Sequence, residues 1–262
     1  MAYLKCLRNV STTSIPDGST VTPTDDIQTL LNCANIWDKS YTTLTELLSD
    51  STSLQAVISS NNAIDYLVRS TTWATDMCAD STAMSYIGLN NYASNTLLGD
   101  STWCNAIWLS TYRESVLNVK VPVMTSNNTP SGLCACSQRY DASFDAYKAF
   151  DGNNTTAWGT GSGNPDNRTL SYTFPNVVKI YGMELLPYYI NSNGFLKDFD
   201  LVDDNDNVII SKTVPNTADL QSYLFNSPVE SAKYQINTTS PNYNGNYDIN
   251  IYTVQFYGRA DV

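Results

Sequence analysis

From Ser40 to Ser110 every tenth residue is one that can cap a helix: Ser40, Asp50, Ser60, Ser70, Asp80, Asn90, Asp100 and Ser110. Such side chains accept hydrogen bonds from the free N–H groups of a first helical turn. Seven residues after each cap stands an apolar residue: Leu47, Val57, Leu67, Met77, Ile87, Leu97, Ile107 and Leu117. This column extends backward through Trp37 and Ile27. Offset four carries Leu44, Leu54, Ile64, Ala74, Met84 and Cys104, and offset eight carries Leu48, Ile58, Val68, Cys78, Leu98 and Trp108. Offsets four, seven and eight share one face of an α-helix. The sequence therefore predicts a string of capped helices, each of about two turns.

Helices this short do not stand alone, because nucleation costs more than two turns return. They must stack on one another or on copies from another chain. Ser, Asp and Asn cap about equally well, so Ser60→Asp is expected to be nearly neutral. Over residues 25–118 the pattern resembles the Ser/Thr/Asn-rich, short-period helical repeats of bacteriophage tail and other virion proteins. That resemblance implies a stalk, a homotrimer, and contacts with other virion proteins. Residues 1–24, with Pro16, Gly18 and Pro23, read either as an extended attachment arm or as a disordered leader.

Composition narrows the chemistry. The chain has no histidine, which removes His-based acid–base catalysis, the Ser-His-Asp and Cys-His systems and the usual zinc sites. The only glutamates are Glu46, Glu114, Glu184 and Glu230, none in a recognisable acid motif. No catalytic residues are expected, and the chain reads as a non-enzyme. A net charge of −11 without a Lys/Arg cluster argues against nucleic acid or an anionic membrane as partner. Neither a signal peptide nor a membrane span is visible. Charged residues are only 15% of the chain, Tyr is abundant, and the scattered cysteines read as free, buried thiols. Taken with the resemblance to virion repeats, these features imply a protein made in the host cytoplasm and built into a virion.

Near Lys120 the pattern changes. Residues 121–133 are turn-rich and read as a linker between a 25–120 stalk and a 134–262 domain. Short β-rich runs follow at 171–174, 177–186, 198–201, 208–212, 221–225, 232–237 and 248–257. Many short strands between turns predict an antiparallel β-sandwich. The fold class is thus α+β in two parts: a ten-residue helical repeat array and a C-terminal antiparallel sandwich.

The segment Ala149-Phe150-Asp151-Gly152-Asn153-Asn154-Thr155-Thr156-Ala157-Trp158 resembles the A-F-D-G-x-x-x-T-x-W signature of discoidin, or factor 5/8 type C, domains. Val178-Lys179-Ile180-Tyr181-Gly182, Lys197-Asp198-Phe199, Lys233-Tyr234-Gln235-Ile236 and Phe256-Tyr257-Gly258 fit further family motifs in the same order. The likeness covers about 130–260 and implies a galactose-binding-like jelly roll of the kind found in carbohydrate-binding modules. It also implies a structural Ca²⁺ held by Asp151, Asn153 and Thr156. By themselves these residues allow either an oxygen cage for a hard cation or a turn held by Asx hydrogen bonds. Where the family's closing strand supplies a Glu, this chain has Thr253. Trp158 reads as a buried plug, and 203–207 as a hairpin turn rather than a calcium loop.

Recognition then falls to loops at one end of the sandwich. The candidates are Tyr188, Tyr189, Asn191 and Asn193 in one loop, Tyr243, Asn244, Asn246 and Tyr247 in another, and Tyr140, expected near the 151–156 turn. Tyr offers an apolar face to a sugar ring and Asn pairs with hydroxyls. The expected function is a bacteriophage virion fibre or adhesin that attaches to host-surface glycan. The alternatives are a capsid or tail decoration making only protein contacts, and a cellular carbohydrate-binding accessory module. One local conflict remains in the closing strand. Ile249 and Ile251 share one parity, Val254 and Phe256 the other, so a bulge near 252–253 is expected to bury all four.

Overall fold

The structure is a computed structural model that describes residues 26–161, 168–191 and 193–260. It divides into one unit ending at Leu117 and a second beginning at Asn118. The expected arm at 1–24 lies outside the described residues.

Eight α-helices make up the described part of the first unit: α1 (Ile27–Cys33), α2 (Leu44–Ser49), α3 (Ser51–Ser59), α4 (Asn61–Leu67), α5 (Ala74–Ala79), α6 (Ser81–Leu89), α7 (Asn91–Gly99) and α8 (Ser101–Leu109). Asp50, Ser60, Asp80, Asn90 and Asp100 each accept from first-turn N–H groups, as the repeat predicts. Ser40 does not cap. Thr43 accepts from the Glu46 N–H while Glu46 reaches back to the Thr43 N–H, and this capping box starts α2 three residues later. Ser70 precedes a 3₁₀ turn, Thr71–Trp73, that runs into α5, but its hydroxyl makes no cap bond. Ser110 accepts from the Tyr112 N–H, and a 3₁₀ turn, Arg113–Ser115, follows in place of an α-helix.

The offset-seven column is buried from Leu47 through Leu117. Trp37 breaks its backward extension: it lies beyond the end of α1 and is 65% exposed. A further buried column, at offset three, holds Ser53, Ala63, Ala83, Ala93 and Trp103. Its mostly small members let neighbouring helices approach.

α1 packs on α4, α3 on α6, α4 on α7 and α5 on α8, so three ten-residue units make one turn of a coil. The apolar stripes are thus covered by helices of the same chain, the first of the two arrangements that the repeat allows. Caps also tie successive turns together. Ser60 Oγ donates to the Cys33 carbonyl at 3.0 Å, Asn90 Nδ2 to that of Ile58 at 2.9 Å, and Ser110 Oγ to that of Cys78. Gly88 sits where the chain crosses closest, since a Cβ there would lie 1.8 Å from the Ser115 carbonyl oxygen. No described helix is long and apolar enough to cross a membrane.

The second unit is an antiparallel sandwich. Its strands are β1 (Val119–Lys120), β2 (Leu133–Cys136), β3 (Trp158–Gly159), β4 (Thr169–Pro187), β5 (Tyr189–Ile190), β6 (Asn193–Gly194), β7 (Asp198–Val202), β8 (Val208–Thr213), β9 (Gln221–Thr238) and β10 (Asn250–Arg259). The main ladder runs β1-β10-β4-β9-β7-β8, with β2 on β4 and β3 on β10. Pairs of expected strands fuse into the long β4 and β9, whose mutual register breaks between Thr173 and Val178 and again after Ile180. At these breaks the long strands pass from one layer to the other. The first part of β4 pairs with β2 and its second part with β10.

Residues 121–133 are not a linker. β1 pairs with β10, the Val121 backbone exchanges hydrogen bonds with the Gln255 amide, and Val121 and Met124 lie in the sandwich core. That core is strung with aromatic rings: Phe150 on Tyr172, Tyr172 on Phe174, Phe174 on Tyr234 and Tyr234 on Phe256, at centroid distances of 5.5, 4.8, 6.1 and 5.3 Å. Trp158 is fully buried and donates to the Gln138 carbonyl, as a plug should. The closing strand carries the expected bulge. Ile251 faces Pro187 while Thr253 faces Leu186, and Ile249, Ile251, Val254 and Phe256 are all buried. Asp203 accepts from the Asn205 and Asn207 N–H groups and closes the β7–β8 hairpin.

Candidate functional site

Two candidate regions come from the sequence, the 151–156 turn and the tyrosine- and asparagine-rich loops. Gly152 takes a φ of 68°, which lets the chain reverse directly after Asp151. Asp151 Oδ1 then accepts from the Asn153 N–H at 2.9 Å, and Oδ2 from the Thr156 hydroxyl at 2.7 Å. Asn153 Oδ1 accepts from both the N–H and the hydroxyl of Thr155. Thr253 donates to Asn154 Oδ1 at 2.8 Å, which ties the turn to the β10 bulge. Lys148 Nζ stands 3.8 Å from Asp151 Oδ2.

Calcium takes about six to eight oxygen ligands, commonly with several carboxylates. Here the oxygens of Asp151 and Asn153 serve the turn's own donors, and the nearest charge to the carboxylate is an ammonium. The donor set does not fit a calcium ion. Of the two arrangements the residues allow, the structure has the turn held by Asx hydrogen bonds.

The loops converge where β4 ends and β10 begins. β5 and β6 form a small hairpin in which Tyr189 pairs with Gly194 and Ile190 with Asn193, and Asn191 takes a φ of 52° at its tip. The side chain of Asn193 lies outside what the structure describes. The Tyr243 N–H donates to the Gly194 carbonyl, and the Gly194 N–H to Asn216 Oδ1, so this hairpin is clasped to the 242–247 loop. Buried Asn242 organises that second loop. Its Oδ1 accepts from the Asn244 and Asn246 N–H groups, and its amide donates to the Asp248 carbonyl.

A third segment joins through Thr160. Its hydroxyl donates to the Tyr247 carbonyl, accepts from the Ile249 N–H, and receives the buried Arg168 guanidinium. Tyr140 bonds through its N–H to the Gly159 carbonyl, and its ring, 66% exposed, leans edge-on against Phe144.

The candidates differ in what they leave open. Tyr188 packs against Phe195 at 5.2 Å and Tyr252 at 4.6 Å, and Tyr243 donates its hydroxyl to the Val214 carbonyl. Both are half-buried loop clamps. Asn191, Asn244, Asn246 and Tyr140 are exposed, and Tyr189 and Tyr247 are half exposed. Burial raises the Asp248 carboxyl above the usual carboxylate range, with Asn250 and Arg168 working against it. The open part of the rim thus consists of asparagine side chains and tyrosine rings.

No family model and no curated protein matches the sequence. Several solved structures resemble the chain in part. The family 32 carbohydrate-binding module of Clostridium perfringens NanJ, solved with galactose, is 17% identical. The alignment covers 53% of this chain and 99% of that one, with a TM-score of 0.43. A factor 5/8 type C domain from Bacteroides fragilis is 19% identical over 50% of this chain and 93% of that one, at a TM-score of 0.42. A chitosan-binding module from a Paenibacillus chitosanase/glucanase is 16% identical over 51% and 96%, at 0.42.

Sequence reasoning missed Tyr252, Asn242, Thr160 and Arg168. The bulge that aims Tyr252 toward Tyr188 was legible, but its consequence for the rim was not. Asn242 belongs to the run Asn242-Tyr243-Asn244-Gly245-Asn246, in which an Asx-type cap was the available signal. Nothing local marks Thr160 or Arg168.

Proposed function

We propose that the sandwich binds host-surface carbohydrate through the rim formed by the 188–194 and 242–247 loops, with Tyr140 at its side. The observation that carries this reading is the convergence. The two loops, far apart in sequence, are clasped by the Tyr243 N–H on the Gly194 carbonyl, and the Asn242 side chain fixes the second loop, with Asn191, Asn244 and Asn246 exposed. Side-chain amides held by a rigid frame meet the need of sugar recognition, where several weak hydrogen bonds must be made without ordering the protein. The chain acts as a binding protein and not as a catalyst.

On this proposal the protein is a fibre or adhesin of a bacteriophage particle, a homotrimer whose 1–24 arm joins other virion proteins. The helical coil serves as its spacer. The full chain should be retained on a glycan array. Asn244→Ala combined with Asn246→Ala should weaken that binding by about tenfold or more without changing the melting midpoint. A folded chain that retains no glycan would favour the decoration protein with protein contacts only. Sedimentation equilibrium tests the trimer, and a monomer at micromolar concentration would remove it.

A further inference from the structure

We infer that the Lys148 ammonium is the resident cation of the 151–156 turn, so that the sandwich folds and works without a divalent ion. Lys148 lies in the 3₁₀ turn Ala146–Ala149, three residues before Asp151. Its side chain is only 22% exposed and that of Asp151 only 11%, so the pair is shielded from solvent and held by its surroundings. The ammonium lies 4.7 Å from the centroid of the Tyr147 ring, whose face attracts a cation and fixes the lysine stem. The carboxylate is fixed in turn by the Asn153 N–H and the Thr156 hydroxyl, one on each oxygen. One negative and one positive charge therefore balance within the turn.

A divalent ion would have to displace the ammonium and turn the Thr156 hydroxyl away from Asp151. It would then face a single carboxylate, because the neighbouring position on β10 supplies the neutral Thr253, already donating to Asn154. The side-chain oxygens of Asp151, Asn153, Asn154 and Thr156 each have a partner within the turn or on β10. The charge count and the hydrogen bonds thus point the same way, and neither depends on what the rim binds.

The test is thermal unfolding of the full chain in millimolar calcium and in EDTA. The sandwich transition is expected at the same temperature in both. Lys148→Met keeps the stem on Tyr147 but removes the charge, and should lower that transition by about 2–4 °C. Lys148→Arg, which restores a cation, should recover most of the loss. A saturable rise of the wild-type midpoint with calcium would overturn the inference. So would a Lys148→Met chain that melts with the wild type.

Discussion

The helical coil and the sandwich bury their apolar residues by opposite routes. In the coil each helix carries its own cap and its own stripe, and its partner is the equivalent helix three units on. In the sandwich the decisive pairings join the two ends of the unit, as when Val121 bonds to Gln255 across 134 residues. The coil repeats one small solution, so a defect in one turn weakens chiefly its neighbours. The sandwich is one long-range network, in which β4 and β9 serve both layers. A defect there is shared by the whole unit.

Truncation of the sandwich core should have the largest effect. Phe256 is buried in β10 and its ring lies 5.3 Å from that of Tyr234. Phe256→Ala is expected to cost about 3–5 kcal/mol. It should abolish or sharply lower the sandwich transition in near-ultraviolet circular dichroism while the helical far-ultraviolet signal persists. Loss of both signals in one transition would break the contrast between the two units.

A smaller effect is expected at Gly88, where one helix departs from the repeat at offset eight. Gly88 takes an offset-eight position that is apolar and larger in most other repeats, because the Ser115 carbonyl passes over it. Gly88→Ala should cost about 1–3 kcal/mol by overpacking, even though alanine is the better helix former. A stabilised helical transition in this variant would mean that the chain can move away at little cost.

These comparisons explain what was legible in advance. Caps and stripes are local, so five caps and the whole offset-seven column from Leu47 onward could be read directly. Ser40 failed because the Thr43–Glu46 capping box competes for the same helix start, and one column cannot reveal such competition. The β10 bulge was legible because its parity conflict lies within a single strand. The role of 121–133 was not, since nothing near Val121 announces a partner at Gln255. The rim shows the same division. Its exposed Asn and Tyr could be named from composition, whereas Thr160, Arg168 and Asn216 enter only through the fold.

The smallest expected effect is the one in which structure reverses the reading of the sequence. As caps alone, Ser60 and Asp are interchangeable, and Ser60→Asp looks neutral. Ser60, however, also donates to the Cys33 carbonyl at 3.0 Å, at the C-terminal end of α1. Aspartate keeps the acceptor for the Ala63 N–H and gains slightly from the start of α4. It cannot donate, and it sets a negative charge against a carbonyl at the negative end of another helix. The loss of that hydrogen bond should outweigh the gain, leaving Ser60→Asp destabilised by about 1 kcal/mol. Ser60→Asn should lie close to wild type, because Asn90 already shows one amide accepting from the Ala93 N–H and donating to the Ile58 carbonyl. Chemical denaturation of the three chains, followed by helical circular dichroism, decides the matter. Equal midpoints for Ser60→Asp and wild type would reduce Ser60 to a cap and leave packing alone to hold the turns of the coil together.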